Sequence, residues 1–140
     1  MIHLTAAVEN LIRAEGEKAY PNECCGFLFG SANDDGRRNV TRARPVKNAS
    51  EDAERYHRFR IEPDAFLRAT REAYAEGLDI AGFYHSHPDH PAVPSEYDRE
   101  QALPCYSYII VAVDNGVAGD LTSWELSLDR GKFNRELTEI

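Results

Sequence analysis

No apolar run in the sequence is long enough to span a membrane. The first twenty residues include Glu9, Arg13, Glu15, Glu17 and Lys18, so no apolar leader core is expected there. Clustered Lys and Arg are lacking too. Arg37-Arg38 and Arg42/Arg44 are scattered and read as solvated charge. At a net charge of −8, neither a nucleic acid nor an anionic membrane is an expected partner. Cysteine is scarce. Of three, Cys24 and Cys25 are adjacent and badly placed to pair with each other, so no disulfide framework is expected and the setting reads as a reducing cytoplasm. Repeats and low-complexity segments are absent. What is there, 140 residues at 42% hydrophobic and 29% charged, suffices for one globular domain, 1–140, with its own core.

Helical spacing of Val8, Leu11 and Ile12 after Thr5 predicts a helix over 5–19, with Thr5 as N-cap and Pro21-Asn22 ending it. The run from Cys25 to Gly30 predicts a buried strand, paired through a turn with 40–46. Residues 47–54 read as irregular. Tyr56 to Ile61 alternate and predict a strand. Pro63 opens a second helix that Gly77 stops, with Phe66, Leu67, Ala69, Ala73 and Tyr74 mostly on one side. Strands are expected at 80–85, 106–113 and 121–128, a short helix at 95–103, and a last strand or tail at 133–140. Strands mixed with three helices point to an α/β layered fold around one sheet.

The chemistry concentrates between Gly82 and Asp98. Three of the five histidines, His85, His87 and His90, fall there, directly after an apolar run. His85 and His87 are two apart, so on a strand both imidazoles face one side and can converge on one ion. Ten residues later comes Asp98, three after Ser95 and therefore in the first turn of the next helix. Two His and one carboxylate leave a tetrahedral position open, the catalytic kind of zinc site. The same Ser-x-x-Asp spacing also fits a capping box with no metal role. Such a hydrolase needs a general base, and the stretch itself supplies none. Glu23, placed between a Pro-Asn break and an apolar strand, is the candidate, although by position alone it could be a surface acid.

Glu23 with Cys25-Gly26, then His85-Ser86-His87-Pro88, Ser95 and Asp98, resembles the motif of the JAMM (MPN+) metallopeptidases, the JAB/MPN family, in its small stand-alone bacterial form. The resemblance runs over nearly the whole chain. It implies one catalytic Zn2+ held by His85, His87 and Asp98, with Glu23 as general base and Ser95 steadying the oxyanion. It implies an MPN domain, similar to cytidine deaminases, with a mixed curved β-sheet and helices on both sides. The implied substrate is a small β-grasp protein, ubiquitin-like or a sulfur carrier of the ThiS/MoaD type, cut at the peptide or isopeptide bond after its C-terminal glycine. Family members often form a homodimer. Long insertions of the large deubiquitinases are lacking here.

Two other readings stand beside this one. The chain could be a non-catalytic MPN-type binding module for a β-grasp protein, which the intact motif argues against. It could be a cysteine-dependent hydrolase using Cys24 or Cys25, which a buried strand position disfavours. His90 reads as a loop residue. Trp124 reads as packing, and Asn48 and Ser50 carry no assignment.

Overall fold

The computed structural model describes residues 1–140. Eight strands form one mixed sheet in the order β7-β6-β5-β4-β2-β3-β1-β8. They are β1 (Ile2–Leu4), β2 (Cys25–Ala32), β3 (Arg38–Val46), β4 (Asp79–Pro88), β5 (Ser107–Asp114), β6 (Val117–Leu126), β7 (Phe133–Glu136) and β8 (Thr138–Glu139). Three helices accompany them: α1 (Ala6–Ala19), α2 (Pro63–Ala75) and α3 (Glu96–Gln101). α1 starts where expected, with the Thr5 side chain accepting from the Val8 amide at 3.3 Å.

Period-two side chains divide the core between the two sheet faces. Tyr84 of β4 packs with Leu28, Ile109, Val111 and Val113 against Val8 and Ile12 of α1. Its neighbour Phe83 goes the other way, to Phe27, Phe29 and Tyr108 against Ala69 and Ala73 of α2. His85 and His87 share the parity of Phe83 and so emerge on the α2 face. The small residues Ala65, Ala69 and Ala73 carry the buried stripe of α2. Leu67 and Tyr74, expected on that stripe, are 50% and 83% exposed. A close helix–sheet approach through alanines leaves larger neighbours outside.

The sheet edges nearly meet. β7 and β8 are separated only by Leu137, whose carbonyl accepts from the Ile2 amide at 2.9 Å. A sheet whose outer strands are consecutive in the chain must curve round on itself. Buried Glu136 secures the seam, accepting from the hydroxyls of Ser107 and Ser123 at 2.6 Å each. The architecture is thus the expected mixed curved sheet with helices on both sides. The strand β1 is an addition, too short to read from pattern, and the last strand expected over 133–140 is divided at Leu137 into β7 and β8.

One expected strand does not exist. Residues 56–61 form turns and irregular backbone. Their polar groups bond to the Asn48 side chain, which donates to the Arg58 carbonyl at 2.9 Å and accepts from the Arg60 amide at 3.1 Å. No strand runs alongside, so the alternation serves a strap across the sheet end instead.

β4 lies parallel to β5, pairing Gly82 with Ser107, His85 with Ile110 and His87 with Ala112. At Gly82 the approach is so close that a Cβ would sit 1.9 Å from the Ser107 carbonyl oxygen. Gly82→Ala should therefore push β4 off β5 and cost about 3 kcal/mol or more. Chemical denaturation checks this, and a loss under about 1 kcal/mol would mean the strands separate easily.

Candidate active site

β4 and α3 bring three ligand atoms to one point. His85 Nε2 and His87 Nε2 lie 3.2 Å apart. Asp98 Oδ2 is 3.2 Å from the first and 3.0 Å from the second. Local sequence explains the placement. Ser95 caps α3 by accepting from the Asp98 amide at 3.0 Å, and Asp98 turns back to accept from the Ser95 amide at 2.9 Å. The capping box thus aims the carboxylate over the strand end.

The donor set fits a metal ion. A tetrahedral zinc with ligands at about 2.0–2.1 Å would separate its ligand atoms by about 3.3 Å, close to the edges of this triangle. His87 Nδ1 lies 2.9 Å from the Pro91 carbonyl. A carbonyl only accepts, so Nδ1 carries the proton and Nε2 keeps its lone pair for a ligand. Burial holds His85 below its ordinary pKa, in the neutral form that ligates. For His87 burial pulls the same way, but the bonds to Asp98 and Pro91 outweigh it. Burial would raise the Asp98 carboxyl, yet the two imidazoles and the Ser95 amide hold it well below the usual range. Two lone pairs and a carboxylate facing one another invite a cation.

Glu23 lies in the turn between α1 and β2 and is 5% exposed. Its Oε1 has no hydrogen-bond partner. Burial pushes its carboxyl up to about 8, partly offset by His87. Glu23, His87 and Ser95 line one cleft, together with His57, Arg58 and Tyr97. All five residues singled out from sequence therefore gather at this end of the sheet. His90 also lines that cleft but is exposed and outside the ligand group.

Four residues without a sequence assignment, Phe59, Arg58, Tyr97 and Asn48, surround the site. The Phe59 ring stacks on His85 at 4.5 Å, with 27° between planes. Arg58 lies over the Tyr97 ring at 4.6 Å. Asn48 ties this strap to Glu23, donating to its carbonyl at 3.1 Å. Beyond His85 and Asp98 a mostly apolar cavity continues between Phe59, Phe66, Leu103 and Tyr108. Glu23 does not line this cavity; it lies in the separate cleft lined by His87 and Ser95. Thiol chemistry is unsupported: burial pushes Cys24 up to about 11 and raises Cys25 as well, the wrong direction for a nucleophile.

The family model described as "Prokaryotic homologs of the JAB domain" matches residues 5–127. The desampylase of Haloferax volcanii is 38% identical over 110 residues, covering 78% of this chain and 73% of that protein. A "probable TtuB-protein conjugate cleaving protease" of Thermus thermophilus is 35% identical over 79 residues, 56% of this chain and 52% of that one. A solution structure of a protein from Desulfitobacterium hafniense superposes with a TM-score of 0.84 at 30% identity, covering 99% of this chain and 91% of the other.

Proposed function

The chain belongs to the prokaryotic JAB-domain family, and on that premise we propose that it is a zinc-dependent JAMM-type isopeptidase. Its substrate is a small β-grasp protein, ubiquitin-like or a sulfur carrier, cut after the C-terminal glycine. The named activities of the relatives, desampylase and conjugate-cleaving protease, support this substrate class. The observation that carries the reading is the convergence of His85, His87 and Asp98 beside a buried, unpartnered Glu23.

His85 Nε2, His87 Nε2 and Asp98 Oδ2 would hold the zinc. Bound there, zinc supplies a Lewis acid for the scissile carbonyl and lowers the pKa of water toward about 7. Glu23 takes a proton from the attacking water and delivers it to the leaving amine. Its burial suits a group that must both accept and return a proton near neutral pH. Ser95 has its oxygen engaged by the Asp98 amide, and its own O–H is left to donate to the developing oxyanion. Helix cap and oxyanion donor are compatible because they use opposite sides of one hydroxyl.

The extended tail of the substrate has an edge to lie along. β3 pairs with β1 only over Arg38–Val40, and its outer side has no strand neighbour from Thr41 onward. Val46, at the site end, is joined through Cys25 to His85 across the sheet. Strand addition there would lead a C-terminal glycine toward the cleft. Three unpaired cysteines, two of them buried, suit a cytoplasmic setting.

The test uses a β-grasp carrier extended past Gly-Gly, once through a peptide bond and once through a lysine side chain. Cleavage after the glycine is expected, lost on chelation and restored by zinc. Cleavage that ignores the chelator, or none with zinc present, would overturn the proposal. Preference between the two bonds decides peptidase against isopeptidase.

A further inference from the structure

The histidine pair is oriented unequally. His87 has the Pro91 carbonyl on its Nδ1. His85 is 1% exposed and its Nδ1 has no partner at all. Ligating imidazoles ordinarily have their second nitrogen hydrogen-bonded, which fixes the ring. On His85 the flat contact is with Phe59, stacked at 4.5 Å.

Glu23 presents a matching problem. Its carboxylate has an unpartnered oxygen, so nothing polar fixes that atom. Its backbone, by contrast, is held twice by the segment that carries Phe59. The Glu23 amide donates to the Arg55 carbonyl at 2.7 Å, and its carbonyl accepts from Asn48 at 3.1 Å. Asn48 spends all four of its hydrogen-bonding positions on backbone. It donates to Glu23 and Arg58, and accepts from Ser50 and Arg60 at 3.0 and 3.1 Å. The residues on either side of Phe59 are therefore fixed by the same amide that fixes Glu23. Glu23 comes from the turn before β2 and His85 from β4, and this strap contacts both.

We propose that residues 48–60 are a positioning strap, in which Asn48 sets the backbone of Glu23 and Phe59 sets the ring of His85. Neither is a catalytic residue, since each acts through the group it holds. The inference rests on the roles given above to Glu23 and His85. It adds that base and metal ligand are placed by one element, so disturbing it at either residue affects both.

Two readouts without substrate test it. Metal affinity is measured by competition with a chromogenic chelator, and amide hydrogen exchange is measured on the metal-free protein. Phe59→Ala should weaken zinc binding by about 10- to 100-fold. Phe59→Tyr, which keeps the stacked ring, should restore it. Phe59→Leu keeps apolar bulk without the flat face and covers the case in which the alanine variant does not fold; it too should weaken zinc. Asn48→Ala should speed exchange at the Glu23 and Arg60 amides. With a cleavable conjugate, both Ala variants should lower kcat more than they change KM. Wild-type zinc affinity in the Leu and Ala variants, or unchanged exchange at Glu23 in Asn48→Ala, would overturn the strap. So would a loss of melting temperature alone, with tyrosine giving no rescue. If wild-type protein binds zinc but cuts no conjugate, the functional reading falls while these binding and exchange results still decide the strap.

Discussion

Glu23→Gln should yield a protein that is nearly inactive and more stable than the parent. In the general-base role proposed for Glu23, toward both water and leaving amine, its removal should cost about 10²- to 10⁴-fold in kcat. The gain in stability comes from the same burial. The Glu23 carboxyl is pushed up to about 8 from an ordinary 4.5 by desolvation. The folded state therefore keeps a proton that the unfolded chain releases above 4.5. Stability falls as pH rises through that window and levels off above about 8. An amide of the same shape carries no charge to bury. Metal-free Glu23→Gln should be close to wild type at pH 4 and more stable on the order of 1–3 kcal/mol at pH 9. Denaturant titrations at the two pH values measure it. Equal stability at both would show that the carboxylate finds a partner or water. Full activity in the variant would remove Glu23 from the mechanism.

Which parts of this site can be read from sequence follows from how local their geometry is. His85 and His87 are legible because a strand has a period of two, and the apolar run before them marks the strand. Asp98 is legible through Ser95, since a capping box fixes both residues within one turn. The cap and ligand readings of that Ser-x-x-Asp are not alternatives: the Oδ2 that accepts from the Ser95 amide also meets both imidazoles. Phe59 is illegible for a physical reason. Tyr56 to Ile61 alternate as a strand would, but a strand is made by its neighbour, and here the bonding goes to the side chain of Asn48. Asn48 is hidden likewise, because its partners at Glu23, Arg58 and Arg60 are brought to it only by folding. β1 fails on the same ground. Three residues pairing in parallel with Arg38–Val40 leave no periodic signal in their own neighbourhood. Around Leu67 and Tyr74 the helix is correct but the face is not, since alanine gives a weaker apolar signal than the leucine beside it.

Asp98 separates the two duties of the capping box, and its variants should lose them one at a time. Asp98→Asn keeps an oxygen able to accept from the Ser95 amide, now 2.9 Å from the carboxylate, so α3 should stay capped. It removes the negative charge that joins the two imidazoles, so zinc binding should fall steeply. The wild-type protein at zinc a hundredfold above its Kd should gain about 2.7 kcal/mol of stability, and Asp98→Asn should gain almost none of it. Asp98→Ala removes the accepting oxygen as well. It leaves the Ser95 amide unpaired and should cost about 1 kcal/mol further in the metal-free state. Melting curves of the three proteins with and without zinc give both differences in one experiment. An equal zinc-induced rise in wild type and Asp98→Asn would take Asp98 out of the metal centre. Equal metal-free stability of the Asn and Ala variants would mean that the Ser95 hydroxyl caps α3 unaided. The expected pattern, metal lost in both and the cap lost in one, would show that a single carboxylate oxygen ties the start of α3 to the end of β4. Zinc would then hold strand and helix together while the cap holds the ligand in line, so each stabilises the arrangement that the other needs.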